Sequence, residues 1–305
     1  MDKWTLFKKA SRFGVIPVML VPIVLGAAGA YVWERTFHPF LFVLTFVGAA
    51  AAHLFSNMVN DLWDYRNGTD VEAQHTPDII TTNSGFLSGG VLSERIFAWM
   101  TWSLLSVAVV CGAVLSIYSG PEVLWFVAGG ALIAYFYVAP PLRFGYRGKG
   151  YSEMAIFLSF GLMPVMGAYF VQTGQFSTKP VLLSLPVGLL TTLLLFNHHF
   201  LHWKADRQAG KKTLVVVWGE RKGLLFSRVL LFAAYASLVI CVAMEVLPVY
   251  ALLALLTAVP PIQVYRGLKS HNPSPAYLPL MGASLQASIR CGSIMTIALI
   301  IQGLL

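Results

Sequence analysis

The sequence predicts an all-α, polytopic membrane protein with its N-terminus in the cytoplasm, and three observations carry that prediction. Hydrophobic residues make up 57% of the chain and charged residues 11%, with mean hydropathy +0.71, whereas roughly a quarter of the residues of a soluble domain are charged. Nine apolar runs approach or reach the ~20 residues that a crossing helix needs: 12–32, 38–59, 96–118, 121–139, 152–172, 179–200, 223–245, 247–264 and 284–304. The basic residues are also unevenly placed. With the N-terminus inside, the N-terminal segment and the loops after runs 2, 4, 6 and 8, counted with their adjoining helix ends, hold all but Arg35 and Lys179 of the 21 Lys and Arg. That is the positive-inside bias, and it predicts a multi-pass protein of the cell membrane with its C-terminus outside. The net charge of +8 is therefore an orientation signal and an attraction for an anionic substrate, not the footprint of a nucleic acid.

Little sequence lies between the runs, so residues 1–305 read as a single membrane domain. The first run follows Lys8, Lys9 and Arg12, whose long stems suit snorkelling to the headgroups. With no small-residue cleavage site after it, the run reads as a retained helix and not a signal peptide. Its Pro17 and Pro22 are tolerated where neighbouring helices re-satisfy the freed carbonyls. Run 2 ends in the polar stretch NMVNDLWDYRNGTD, Asn57 to Asp70, with His53 one turn ahead of it. The Thr, Ser, Pro and Gly of TPDIITTNSGFLSGG then predict a long loop, a length that in compact proteins suits lids and binding segments. Runs 3 and 4 carry Trp99, Trp102 and Trp125 as interfacial anchors. Run 4 leaves the membrane through YFYVAPPLRFGYRGKGYSE, in which Tyr135, Tyr137, Tyr146 and Tyr151 alternate with Arg143, Arg147 and Lys149. Run 6 ends in FNHHFLHWKADRQAGKKTL, where Gly210 is expected to cap the helix in a left-handed conformation. Cys111, Cys241 and Cys291 all fall inside apolar runs, with no spacing that suggests a disulfide or a zinc site.

Two polar stretches carry the chemistry. On a helix, residues four apart share a face, so Asn57 stacks with Asp61 and Asn60 with Asp64. Of the 13 carboxylates in the chain, Asp61, Asp64, Asp70, Glu72 and Asp78 fall in one short window. Carboxylates this close repel unless a cation lies between them. A hard cation such as Mg²⁺ takes one or two of them and completes its shell with phosphate oxygens and water, which points to a Mg²⁺–diphosphate site. In the second stretch His198, His202 and Asp206 recur every fourth residue. The pattern Asn60-x-x-x-Asp64-x-x-x-Gly68 is echoed by His202-x-x-x-Asp206-x-x-x-Gly210, each where an even-numbered run meets the same side. Two half-sites closing on one ligand are expected.

Taken together, NDLWDYRNGTD at 60–70, YFYVAPPLRFGYRGKGYSE at 135–153, FGLMPVMGAYFVQTG at 160–174 and ADRQAGKKTLVVVWG at 205–219 resemble the UbiA superfamily of intramembrane prenyltransferases. Within it, the resemblance is nearest to the 1,4-dihydroxy-2-naphthoate polyprenyltransferase branch of menaquinone synthesis. It implies nine transmembrane helices around a central cavity, with two aspartate-rich motifs at a cytoplasmic mouth that bind Mg²⁺ and the diphosphate of an isoprenoid donor. By position, Asn60, Asp64, Asp70 and Asp206 are the implied metal ligands. Asp61, Asp64 and Arg143 are the implied catalytic groups. Asn57, Tyr137, Tyr146, Arg147, His198, His202 and Lys211 are the implied substrate contacts, the tyrosines offering ring faces to an allylic cation. The implied reaction is Mg²⁺-dependent transfer of a polyprenyl group to an aromatic acceptor such as a naphthoate. The implied partners are the isoprenoid diphosphate, the acceptor and the bilayer.

The chain departs from the family where an Asn and an Asp of the second motif are replaced by His198 and His202. An imidazole there meets the diphosphate directly as imidazolium or favours a softer metal. Other acceptors (4-hydroxybenzoate, homogentisate or a lipid), a transporter, and a non-catalytic binder of isoprenoids or quinones remain the alternatives. A carrier would place its polar cluster near the bilayer midplane, whereas these acids gather at one face beside basic loops.

Overall fold

A chain crossing a bilayer must satisfy its backbone polar groups internally, which leaves helices as the way across for an open chain. The computed structural model describes residues 2–68 and 84–305, and among them there are helices and no strand. A short helix α1 (Lys3–Ala10) is capped by Asp2, whose carboxylate accepts the Thr5 N–H. Then follow α2 (Pro17–Glu34), α3 (Pro39–Arg66), α4 (Glu94–Ser119), α5 (Val123–Phe136), α6 (Tyr151–Thr173), α7 (Thr178–Gln208), α8 (Leu214–Ala243), α9 (Val249–Gly267) and α10 (Leu278–Leu304).

Among the described residues eight helical segments are long and apolar enough to cross a membrane, where the sequence reading expects nine. The shortfall is α5. It has 14 residues, about 21 Å at 1.5 Å per residue, against a hydrocarbon core of ~30 Å. It ends because Tyr137 leads into the Pro140–Pro141 turn, a cis bond. The seventh span begins at Leu214 rather than 223. Its first turns hold Glu220, Arg221 and Lys222, which a hydropathy window rejects although Thr213 caps the helix there, and Gly219 interrupts it at φ +76°.

Lipid is as apolar as a leucine side chain, so these helices are held by close packing and hydrogen bonds rather than by exclusion of water. Gly26 of α2 lies so near α6 that a Cβ there would sit 2.2 Å from the Val165 carbonyl oxygen. Gly161, in the π-turn Leu158–Leu162 within α6, would place a Cβ 2.5 Å from the Cα of Gly188 on α7. A buried polar set ties the C-terminal half together: Asn197 of α7 donates to Ser284 of α10 at 2.9 Å and accepts from Ser227 of α8, which also bonds the Tyr265 hydroxyl of α9. The three cysteines are buried and free, as their placement in apolar runs predicts.

Candidate active site

Helix α3 stays helical through the first polar stretch, so Asn57, Asn60, Asp61 and Asp64 do lie on one helix. Helix α7 likewise runs on through His198, His202 and Asp206. The two helices end alike. Asn67 N–H bonds Trp63 O and Gly68 N–H bonds Tyr65 O, while Ala209 N–H bonds Ala205 O and Gly210 N–H bonds Arg207 O. Gly68 and Gly210 then turn out at φ +76° and +73°, left-handed values that glycine adopts without a Cβ penalty. The echo read from the sequence is thus a repeated local structure. Asp70 lies outside the described residues, as do Glu72 and Asp78.

Both ends open on one cavity of about 560 Å³. Its polar part is formed by Arg12, Asn57, Asn60, Asp64, His198, His202, Asp206 and Lys211, with His53 and His199 beside them. Its remainder is apolar and reaches between α4, α5 and α6 past Leu105, Val127, Ala131 and Met163.

Lys211 is the cation that lies beside the carboxylate of the second stretch. Its Nζ lies 3.9 Å from Asp206 Oδ1 and 4.9 Å from the centre of the Tyr146 ring. Burial works against its charge, but Asp64 first and Asp206 next outweigh that penalty and hold its pKa above the ordinary lysine range. The Tyr146 hydroxyl donates to Asp64 Oδ1. Tyr146 therefore orients a carboxylate and lies against an ammonium, a different duty from the cation-facing ring expected of it. A backbone pairing of the Tyr146–Arg147 segment with Lys212 holds it there, Lys212 N–H donating to Tyr146 O at 3.0 Å. Tyr137 does line the cavity, whereas Tyr135 packs among Trp63, Trp102 and Phe136.

Other expected residues have other neighbours. Both oxygens of Asp61 are engaged, one by Arg12 and the other by the Ser84 N–H at 2.9 Å, and Asp61 does not line the cavity. Arg143 reaches Asn67 Oδ1 at 2.9 Å, at the end of α3. Arg147 is exposed, its Nε donating to Leu142 O at 2.6 Å. Neither arginine lines the cavity. Asn57 donates to Ser11 O at 3.1 Å and approaches His53 Nε2 at 3.4 Å. His198 and His202 face each other with Nε2 atoms 3.3 Å apart.

Sequence reasoning misses Arg12 and His199 at this cavity. Arg12 looks like one more snorkelling base before run 1. The signal that sets it apart is structural, a left-handed φ of +53° between α1 and α2 and a guanidinium that meets Asp61 of α3.

The residues fit a divalent cation. Asn60 Oδ1 is buried with no hydrogen-bond partner, one turn from Asp64, and an orphaned amide oxygen beside a carboxylate is what a hard cation uses. Among the described residues no three His, Cys, Asp or Glu side chains converge into a ready cage, so phosphate and water would supply the rest of the shell.

Comparison with known proteins gives the family and the fold. The sequence profile of the UbiA prenyltransferase family matches residues 19–284. The chain is 30% identical over 237 residues to the 2-carboxy-1,4-naphthoquinone phytyltransferase of Synechocystis, covering 73% of this chain and 70% of that one. It is 27% identical over 239 residues to the 1,4-dihydroxy-2-naphthoate octaprenyltransferase of Haemophilus influenzae, covering 76% and 75%. The fold superposes on a UbiA homologue from Archaeoglobus fulgidus, solved with GPP and Mg²⁺, with a TM-score of 0.65 at 17% identity over 95% of this chain and 99% of that one.

Proposed function

The chain belongs to the UbiA prenyltransferase family, and on that footing we propose that it transfers a polyprenyl group from an isoprenoid diphosphate to an aromatic acceptor, a naphthoate or similar quinone precursor. The observation that carries the reading is the meeting of Asp64, Asp206, Lys211 and the orphaned Asn60 oxygen at the polar part of an otherwise apolar cavity. A diphosphate head suits the first, and an isoprenoid tail suits the second.

Asn60, Asp64 and Asp206 would hold Mg²⁺, which neutralises charge growing on the diphosphate as the allylic C–O bond breaks. Lys211 does the same from the protein side, fixed in place before the reaction and so at no reorganisation cost. The Tyr146 hydroxyl keeps Asp64 turned into the site. Apolar walls exclude the water that would quench an allylic cation, and Tyr137, which lines the cavity, would offer it a ring face. The positive-inside bias and the basic residues near the polar part of the cavity support a cytoplasmic mouth and a cytoplasmic N-terminus in the cell membrane.

Purified protein given labelled prenyl diphosphate, Mg²⁺ and a panel of hydroxynaphthoates, hydroxybenzoates and homogentisate should prenylate a naphthoate. Asp64→Asn should abolish that turnover while the protein stays folded and inserted. Donor binding without transfer to any acceptor would point to a binder, and near-wild-type turnover in Asp64→Asn would remove Asp64 from the site.

A further inference from the structure

One buried pair beside the cavity takes no part in the chemistry described so far. Glu153, near the start of α6, and His199, on α7, are both buried. His199 Nδ1 lies 3.9 Å from Glu153 Oε1, and each of these two atoms is buried without a hydrogen-bond partner. The second oxygen of Glu153 accepts from the Ser152 hydroxyl at 2.8 Å. An unsatisfied buried polar atom costs about 1–3 kcal/mol, so two that face each other call for a reason. Their position supplies one. His199 lines the cavity that holds Asp64 and Lys211, whereas Glu153 lines a second cavity of about 550 Å³ beside Leu214 and Trp218. A base and an acid therefore span the wall between two cavities. The other titratable groups nearby are His198 and His202 on the same helix, Lys211 after it, and Tyr137 beside Glu153.

We infer that His199 is the general base that takes the hydroxyl proton of the aromatic acceptor, and that the Glu153 carboxylate positions His199 and accepts the proton its Nδ1 gives up. The inference rests on the prenyl-transfer reading. As the acceptor ring attacks the allylic carbon, the acceptor O–H bond breaks and its electron pair moves into the ring, whose π pair forms the new C–C bond. The diphosphate leaves with the C–O pair, and the proton goes to His199. The alkylated ring carbon then regains aromaticity by losing its own proton to the departing diphosphate, or CO₂ from a carboxylate whose C–C pair returns to the ring, and the ring oxygen is left as an oxyanion. Glu153 closes on Nδ1–H, which leaves Nε2 as the accepting nitrogen and stabilises the imidazolium that forms.

The test compares two acceptors in full-length His199→Gln and Glu153→Gln. One is a hydroxynaphthoate whose hydroxyl is protonated at the assay pH, and the other is a fluorinated analogue already ionised there. With the first, kcat should fall about 10²–10³-fold in His199→Gln, within the range that general bases contribute, and about 10-fold in Glu153→Gln. With the ionised acceptor each variant should come within about 3-fold of wild type, because no proton is left to remove. Glu153→Asp should recover part of the loss, and donor affinity should stay within about 2-fold throughout, since neither residue holds the diphosphate. Equal losses with both acceptors, or none with either, would overturn the proposal. Should His199→Gln fail to bind donor, His199→Asn carries the same comparison. Wild-type protein that prenylates neither acceptor would instead overturn the prenyl-transfer reading, and this one with it.

Discussion

Replacing Lys211 with Met keeps the length of the side chain and removes the charge. Lys211 Nζ stands 3.9 Å from Asp206 Oδ1, and two unit charges at that distance interact by about 4 kcal/mol at an effective dielectric near 20. A diphosphate oxygen in similar contact with the ammonium would lose a like amount, less what its rehydration returns. Donor affinity should therefore fall about 10²–10³-fold, or some 3–4 kcal/mol. Mg²⁺ binding without donor should move the other way. Asp64 and Asp206 lose the cation between them, and their restored repulsion is relieved by a divalent ion. Titrating a non-hydrolysable donor analogue and Mg²⁺ separately into detergent-solubilised wild type and Lys211→Met reads both changes. Unchanged donor affinity would refute the placement of Lys211 over the diphosphate. Both affinities falling together would make Lys211 a structural residue.

Asp61→Asn should act on stability more than on chemistry, because both oxygens of Asp61 are already bonded. A loss of about 1.5–3 kcal/mol, seen as a lower Tm with donor KM near wild type, is expected, and an unchanged Tm would count against the clamp. Gly26→Ala must push a methyl against the Val165 carbonyl oxygen and should cost about 1–3 kcal/mol in detergent unfolding. His202→Asp restores the acid usual in the family and breaks the contact with His198 Nε2. Donor binding should then depend more steeply on Mg²⁺, and profiles identical to wild type would leave both histidines as wall packing. Single cysteines near residue 75 and at residue 209 should both react with an impermeant thiol reagent from the cytoplasmic side, and reaction from opposite sides would break the two-half-site arrangement.

The helices were legible because apolar run length and polar punctuation report directly on a bilayer-spanning backbone. The acidic half of the site was legible for a related reason, since carboxylates are scarce in this chain and their four-residue spacing survives as a helix face. What stayed hidden depends on contacts distant in sequence. Nothing around Arg12 says that it meets Asp61, 49 positions on. Nothing in the tyrosine-rich loop says which hydroxyl finds Asp64, and it is Tyr146, 82 positions on. Arg143 and Arg147 look equivalent in the sequence, yet one turns to Asn67 and the other to its own loop. The true start of α8 was masked because charged residues occupy its first turns.

The partners of the two neighbouring aspartates differ in when they become available. Asp61 is met by Arg12, which a ribosome has already delivered when Asp61 is made. Asp64 must wait for Tyr146 and then for Lys211, 147 residues later (211 − 64), which at about 5–20 residues per second is a delay of roughly 7–30 s. Until Tyr146 is made Asp64 lacks both of these partners, while Asp61 already has Arg12 and, soon after, the Ser84 N–H. The order of synthesis thus makes Asp61 the early fastening of the N-terminal half and completes the surroundings of Asp64 only when Lys211, in the last third of the chain, arrives.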